Sequence, residues 1–544
     1  MERKKEKRLV IFGLALVIGL SAYLRLSGIT WGVESGYGHF LNFHPDEFIS
    51  IRGMLPIQPL AGKLQAPDAY FEGTFNYYLW AVPEMFRELW SGARPIVAED
   101  RPDGQVKFIV LSGRLMSVAF DLVSLLLLFA VIKELTGQPL AGLFAALLYG
   151  VFPMQVIYSH FMRTYALSNL LCTLVIWLSV KTLKHRHWLL FVVTGAVAGL
   201  AAATRYSTAV ILSVPCLFLL FQGLAGPEPW RERFGKSVVY LVSGPIWLLV
   251  GGFGLGLFVG EPMLLLDFRS VLQAILFEVS HYAPTGPRNP LDLTPIWTYF
   301  SVLIPYATYP VLWVVIYLST VYVILRRSLW PIAVPLCLFV ALYTYLMAKG
   351  YMSGFARLAM VLLPVFCIFA GLAFGEILPK LLKRPPLFCL VMFVILLLIL
   401  PSVLFDWAYG QAMQRRDVRE LVRNDLGKLI KDRSWTSIAV SEGGWYFYTA
   451  MPAVLPLKSD NVAVELQSSL AQPDFFVMGF ARPFDENSRN ATIREVENSG
   501  TFTFMKAYSR APTIFGRRLD LSNFPPDMTY PFPTILLFRN TTNP

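Results

Sequence analysis

The sequence predicts a polytopic α-helical membrane protein of about eleven transmembrane helices, carrying a small C-terminal α/β outer domain. Three observations predict it. The 544 residues are 55% hydrophobic and only 15% charged, with a mean hydropathy of +0.53, far more apolar than an ordinary soluble chain. Long runs such as "VIFGLALVIGLSAYLRLSGI" (10–29) and "LFCLVMFVILLLILPSVLF" (387–405) each suffice to cross a bilayer as a helix. Past residue 405 the composition shifts, with more charge and shorter apolar runs.

Hydropathy places the spans near 9–29, 108–132, 139–158, 165–182, 188–204, 207–222, 237–259, 297–325, 329–347, 356–376 and 387–405. The first is not read as a cleaved signal peptide. It is long, contains Arg25, and lacks a small-residue cleavage pattern, although "MERKKEKR" precedes it. The fifth and sixth are short, with "ATRYS" between them, a pattern that also suits one broken hairpin. Basic clusters alternate along the chain: "ERKKEKR", "KHRH" (184–187), "RERFGK" (231–236), "RR" (326–327) and "KLLKR". By the positive-inside rule they face the cytoplasm, so an odd number of spans puts the N-terminus inside and the C-terminus outside.

The net charge of +11 resides in these gaps, and no basic stripe or aromatic reader motif points to nucleic acid. The five cysteines all lie within apolar segments without CxxC spacing, as buried small hydrophobes do. No solenoid-period repeat and no inverted repeat is evident, which disfavours a secondary transporter.

A membrane domain is expected over 1–405 and an outer domain over 406–544. Three outer segments are long: 30–107, 260–296 and the C-terminal region. In the last, "RDVRELVRNDLGKLI" (416–430) has helical periodicity, while "SIAVSE", "DFFVMGF" and "TILLFRN" read as strands. Two glycosylation sequons begin at Asn490 and Asn540.

The first outer segment bears "NFHPDEF" (42–48) and the aromatic stretch "FEGTFNYYLWAVPEMFRELW" (71–90). A loop of this length calls for a function, and the aromatic stretch suits segments lying at the membrane interface. Asp46 is the candidate general base, able to deprotonate an attacking hydroxyl. Glu47 is the candidate for binding the acceptor, orienting Asp46 or raising its pKa. The plain alternative is a solvated acidic pair after a turn proline. His44 with Asp46 forms the beginnings of a metal site. With six histidines in the chain and no HxH or HxxxH spacing, a catalytic divalent metal is not favoured and no cofactor is expected.

Arg114, Arg163, Arg205 and Arg357 stand at the outer ends of predicted helices. A guanidinium at membrane depth is expensive, so each is a functional candidate. The plain alternatives are snorkelling to the interface or an ion pair such as Arg114 with Asp121. Several cations on one leaflet suit a shared anion, and a lipid phosphate is the natural one. No GxxxxGK[ST] loop is present, which speaks against a nucleotide-driven reaction.

This ordered set resembles the GT-C superfamily of multispanning glycosyltransferases, nearest the protein O-mannosyltransferase and aminoarabinose-transferase type and their bacterial and archaeal relatives. "FHPDE" is similar to the family's first-loop acidic motif. "GRLMSVAFDLVSLLLLFAVIKELTG", "LYGVFPMQVIYSHFMRTYALSNLL", "GAVAGLAAATRYSTAVIL" and "FARLAMVLLPVFCIFAGLAF" resemble successive spans, over most of residues 8–405. The resemblance implies inverting transfer of a sugar from a polyprenyl-phosphate donor, on the outer face of the cell membrane. It implies Asp46 as base, Glu47 in support, and Arg114, Arg205, Arg163 and Arg357 as substrate contacts with His44 beside the motif. The acceptor is left open among protein, lipid and glycan. There is no inserted MIR-type domain, and "GGWYFY" (443–448) is not the WWDYG-type signature of asparagine glycosylation.

The competing functions are a transporter or flippase of a lipid-linked intermediate, and a scaffold whose outer domain binds a partner. Intramembrane charges would line a path in the first, and the outer cations go unexplained in the second.

Overall fold

The computed structural model describes residues 2–33, 44, 46–66, 70–92, 103–224, 232, 235, 239, 244–281, 292–350, 354–431, 436–441, 462–466, 473–480 and 486–541. Pro45, the tip of the second outer segment and "GGWYFY" lie outside them. The chain divides into two units. The first comprises 1–25, 50–100 and 112–406, and the second 26–49, 101–111 and 407–544.

The protein is a multi-pass, mostly helical membrane protein. Among the described residues six helices are long and apolar enough to cross a bilayer, or seven if one bent pair is a single span. Shorter apolar helices add to them. In chain order the helices used below are α1 (Glu2–Leu26), α2 (Glu47–Met54), α3 (Phe75–Ser91), α4 (Asp103–Thr136), α5 (Pro139–Gly150), α6 (Pro153–Ser159), α7 (Tyr165–Lys184), α8 (Trp188–Thr204), α9 (Ser213–Leu224) and α10 (Gly244–Gly260). There follow α11 (Phe268–His281), α12 (Leu312–Leu325), α13 (Trp330–Gly350), α14 (Leu363–Leu382), α15 (Pro385–Met413), α16 (Val418–Ile430) and α17 (Glu486–Glu497).

Two spans expected to be continuous are interrupted. The 139–158 run bends by 61° between α5 and α6, where Pro153 opens the second piece and restricts the residue before it. The 297–325 run breaks before α12 at Tyr309, which precedes Pro310 and takes a positive φ of 77°. The fifth and sixth spans join through Arg205 in extended conformation and a 3-10 stretch, Tyr206–Leu212.

Helices α8 and α10 meet along a glycine seam. A Cβ on Gly195, Gly199, Gly252 or Gly256 would fall 1.9–2.2 Å from a backbone oxygen of the other helix. Only glycine permits so close an approach, and the spacing is that of small residues four apart in both sequences. The seam brings Thr204 and Gly260, the last residues of the two helices, to one end of the pair.

Within the first unit the buried Arg25 of α1 donates from Nε to Asp121 Oδ2 of α4 at 2.5 Å, and from Nη1 to Ser21 Oγ and Gly150 O. The Tyr149 hydroxyl takes the other Asp121 oxygen. Asp121 is thus the partner of Arg25, and the pairing with Arg114 weighed from sequence is corrected. The residues 96 apart in sequence are what periodicity within one helix does not reveal.

In the second unit a five-stranded sheet has the order β2 (Val462–Leu466), β1 (Thr436–Val440), β3 (Phe475–Phe480), β7 (Thr534–Asn540), β4 (Phe502–Ser509). β1 runs parallel to both neighbours, whereas β7 is antiparallel to β3 and β4. A small hairpin, β5 (Thr513–Ile514) and β6 (Arg517–Arg518), lies outside this sheet. Ala439, Phe476, Leu536 and Phe538 form the core on one face, with Ile493 and Val496 of α17 packed against it. This is the expected α/β domain. Of the two sequons, Asn540 is buried and its amide donates to Pro473 O, which leaves no room for a glycan there.

Candidate functional site

The acidic motif belongs to the second unit. His44, Asp46 and Glu47 are all buried, so the pair is not a solvated face. Asp46 immediately precedes α2 and Glu47 is its first residue, where the helix dipole favours carboxylates. The turn is built locally: the Asp46 amide donates to His44 Nδ1 at 3.2 Å, and the Glu47 amide to His44 O at 3.2 Å.

His44 is held in turn by the C-terminal domain. Its ring stands edge-on to Tyr530, and the Tyr530 carbonyl accepts from Arg419 Nη2 at 3.4 Å. Arg419 forks onto Asp417 through Nε at 2.7 Å and Nη2 at 2.9 Å. Asp417 caps α16 by accepting from the Arg419 amide, and also takes the Trp31 indole N–H at 3.2 Å. Residues from both ends of the chain therefore seat the motif.

The four arginines belong to the first unit. Arg163 is buried after the Phe161–Met162 turn; it donates to Ser50 Oγ at 3.1 Å and pairs with Glu72, whose other oxygen accepts from the Tyr77 hydroxyl. Arg114 is buried on α4 beside Gly113 and Ser117, which hold that turn: Ser117 Oγ donates to Phe161 O, and Gly113 lies directly under Met162. Arg205 ends α8 with its guanidinium 4.4 Å above the Tyr165 ring. Tyr165 meets Tyr158 edge-on at 4.9 Å, and Arg357 Nη1 donates to the Tyr158 hydroxyl at 3.2 Å. Arg357 also lies 4.2 Å from the Phe355 ring centre. Two tyrosines therefore link Arg205 to Arg357. Aromatic faces attract a cation without neutralising it.

Sequence reasoning missed Glu72, Tyr158, Tyr165, Tyr206 and Glu261. The signal was faint: Glu72 stands inside the aromatic stretch, and Glu261 directly follows an apolar run. Glu261 Oε2 accepts from the Thr74 amide at 2.7 Å and the Tyr206 hydroxyl at 3.3 Å, and burial pushes its pKa up to about 7. Among the described residues no three of His, Cys, Asp and Glu converge as metal ligands. His44 Nδ1 is already engaged by the Asp46 amide.

Residues 107–251 match the family model described as dolichyl-phosphate-mannose-protein mannosyltransferase. That match supports the resemblance to GT-C glycosyltransferases, and the multi-pass helical fold is consistent with that class. Among solved structures the chain is similar to ArnT from Cupriavidus metallidurans bound to undecaprenyl phosphate, at 14% identity and a TM-score of 0.44 over 98% of each chain. The apo form of that protein gives 14% identity and a TM-score of 0.42 over 99% of this chain and 98% of that one. No curated protein matches the chain.

Proposed function

We propose that this protein transfers a sugar from a polyprenyl-phosphate donor to an acceptor at the outer face of the membrane, with inversion at the anomeric carbon. The observation that carries the reading is the Arg205–Tyr165–Tyr158–Arg357 chain, a half-buried and a buried guanidinium joined through aromatic side chains in the apolar helical unit. Such a pair suits a phosphate whose own lipid anchors it in the bilayer. The family match over 107–251 supports the same donor class.

In the reaction Asp46 takes the proton of the acceptor hydroxyl or amine while that atom bonds to the anomeric carbon from the side opposite the phosphate. The bond from that carbon to the phosphate oxygen breaks as the new one forms, so one displacement inverts the centre. Arg205 and Arg357 stabilise the negative charge that grows on the departing phosphate. Glu47 orients the acceptor, and Arg163 and Arg114 shape the ends of the helices behind them.

The test is turnover of purified protein in lipid nanodiscs, offered a panel of polyprenyl-phosphate sugars with stereochemical analysis of the product. Consumption of one donor with inversion is expected. Arg205→Gln and Arg357→Gln should raise the donor KM, each lost charged contact being worth roughly tenfold or more. Movement of an intact lipid-linked sugar across the bilayer, without cleavage of its phosphate bond, would sink the reading.

A further inference from the structure

Glu261 has no part in the transfer step above, yet it is wholly buried where α8 and α10 end. Its Oε1 has no hydrogen-bond partner among the described residues. Oε2 meets both the Thr74 amide and the Tyr206 hydroxyl, and that hydroxyl also lies 2.9 Å from Tyr70 O. Tyr206 has a single proton and donates to one of these oxygens at a time.

The protonation state of Glu261 decides whether the set is satisfied. With a proton on Oε2, every group has a direction: Thr74 N–H to Glu261, Glu261 O–H to Tyr206, Tyr206 O–H to Tyr70 O. Oε1 is unpaired among the described residues in either form, but without the proton it belongs to a buried negative carboxylate, which also competes with Tyr70 for the Tyr206 proton. The segment so gripped is short and tightly packed. Thr74 Oγ1 donates to Gly260 O at 3.1 Å and Asn76 Nδ2 to Thr204 O at 3.1 Å. Gly73, at φ +101°, lies so close that a Cβ would be 2.4 Å from Ala203 O. One residue earlier is Glu72, the partner of Arg163.

We propose that Glu261 is a positioning residue: protonated, it closes the chain Thr74–Glu261–Tyr206–Tyr70 that seats Glu72 against Arg163, and on ionising it loosens that seat. Its bearing on turnover rests on the transferase reading above; the seating itself does not.

Burial holds the Glu261 pKa at about 7, above the ordinary carboxylate range. A carboxyl raised in the folded state binds its proton more tightly there than when released. The seat is therefore firmest in acid, weakens as pH rises from the ordinary carboxylate range towards about 7, and changes no further above it. The titratable groups that face Glu261 are Tyr70, Tyr77 and Tyr78 from the first outer segment and Tyr206 from the 3-10 stretch; behind them, Asp267 acts on Tyr70 and the Glu72–Arg163 pair on Tyr77. Burial raises Tyr70, and Tyr78 to about 12, so neither changes charge near neutrality.

Hydrogen exchange of amides 70–78 in nanodiscs, corrected for intrinsic rates, reads the seat directly. Between about pH 5 and 7 the native chain should lose protection by up to tenfold per unit, and the loss should level off above about 7. Glu261→Gln, which donates and accepts like the protonated acid, should stay protected and flat with pH. Tyr206→Phe should lose protection at the acid end, and Glu261→Ala at every pH. Native exchange that is flat with pH, or Glu261→Gln following the native profile, overturns the proposal even if the alanine variant does not fold. In parallel, kcat/KM of the native chain should fall as pH rises towards about 7, and Glu261→Gln should remove that fall. If the native chain consumes no polyprenyl-phosphate sugar, the transferase reading falls while the exchange result still decides the seat.

Discussion

The His44 imidazole stands edge-on against the Tyr530 ring, centroids 5.1 Å apart and planes at 87°. The acid motif is thereby fixed by a residue of the C-terminal domain, not by its own loop alone. Both rings are buried, so the contact combines apolar burial with a favourable quadrupole geometry. Tyr530→Phe keeps the ring and its edge-on contact with His44, and should cost less than removal of the ring. Tyr530→Ala removes it and should cost about 3 kcal/mol of stability. Thermal unfolding in detergent and transfer rate should both report the difference.

Asp46→Asn keeps the shape of the side chain and removes its capacity to take a proton. Transfer should fall by about 10²–10⁴-fold, the usual worth of a general base. Binding of polyprenyl phosphate, measured by native mass spectrometry, should be unchanged. A variant that turns over normally would remove Asp46 from the reaction.

The Arg25–Asp121 pair joins residues 96 apart in sequence and is almost wholly buried. Removing one partner leaves the other charged and dry, so Asp121→Leu alone should destabilise by about 3–5 kcal/mol. Replacing both, as Arg25→Met with Asp121→Leu, should recover much of that loss. Melting temperatures of the two single variants and the double variant give the coupling.

The glycine seam makes a contrast within one helix. Gly256→Ala would press a methyl group against the Ala196 carbonyl, 1.9 Å from the ideal Cβ, and should force α8 and α10 apart. Gly251 and Gly254 have nothing within 4 Å, so alanine there should be neutral or stabilise by up to about 1 kcal/mol. Detergent-resistant folding of the variants separates the two classes.

His44 Nδ1 is spent on the Asp46 amide, so this histidine offers at most one ring nitrogen to a metal. Transfer should therefore persist in excess chelator, and added divalent cations should change its rate by less than about twofold. Loss of activity on chelation, restored by one metal, would bring a metal into the mechanism.

Much of the architecture was legible because hydropathy runs are long compared with the noise of composition. The three strands "SIAVSE", "DFFVMGF" and "TILLFRN" appear as β1, β3 and β7, since alternating or continuous apolar runs between turn residues are local signals. β2 and β4 escaped notice: "VAVEL" is short, and "FTFMKAYS" alternates with polar residues on a half-exposed strand. The breaks at Pro153 and Tyr309 were visible as prolines, but a proline alone does not say whether a span kinks or divides.

Legibility of the site followed the same division. Arg205 and Arg357 stood out because a charge in an apolar run is anomalous. Their connection through Tyr165 and Tyr158 was hidden, because tyrosine is common in such runs and its partners come from other helices. Glu261 was passed over as the first polar residue after a span. Only its contacts with Thr74 and Tyr206 distinguish it from an ordinary boundary residue.

The Trp31 indole meets Asp417 across 386 residues of chain, and His44 meets Tyr530 across a still longer interval. During synthesis the acid motif emerges early and waits for nearly every later segment to be inserted before its supports exist. A ribosome-bound or prematurely terminated chain would therefore carry its membrane helices without the contacts that seat Asp46, and on the proposed mechanism it would transfer nothing.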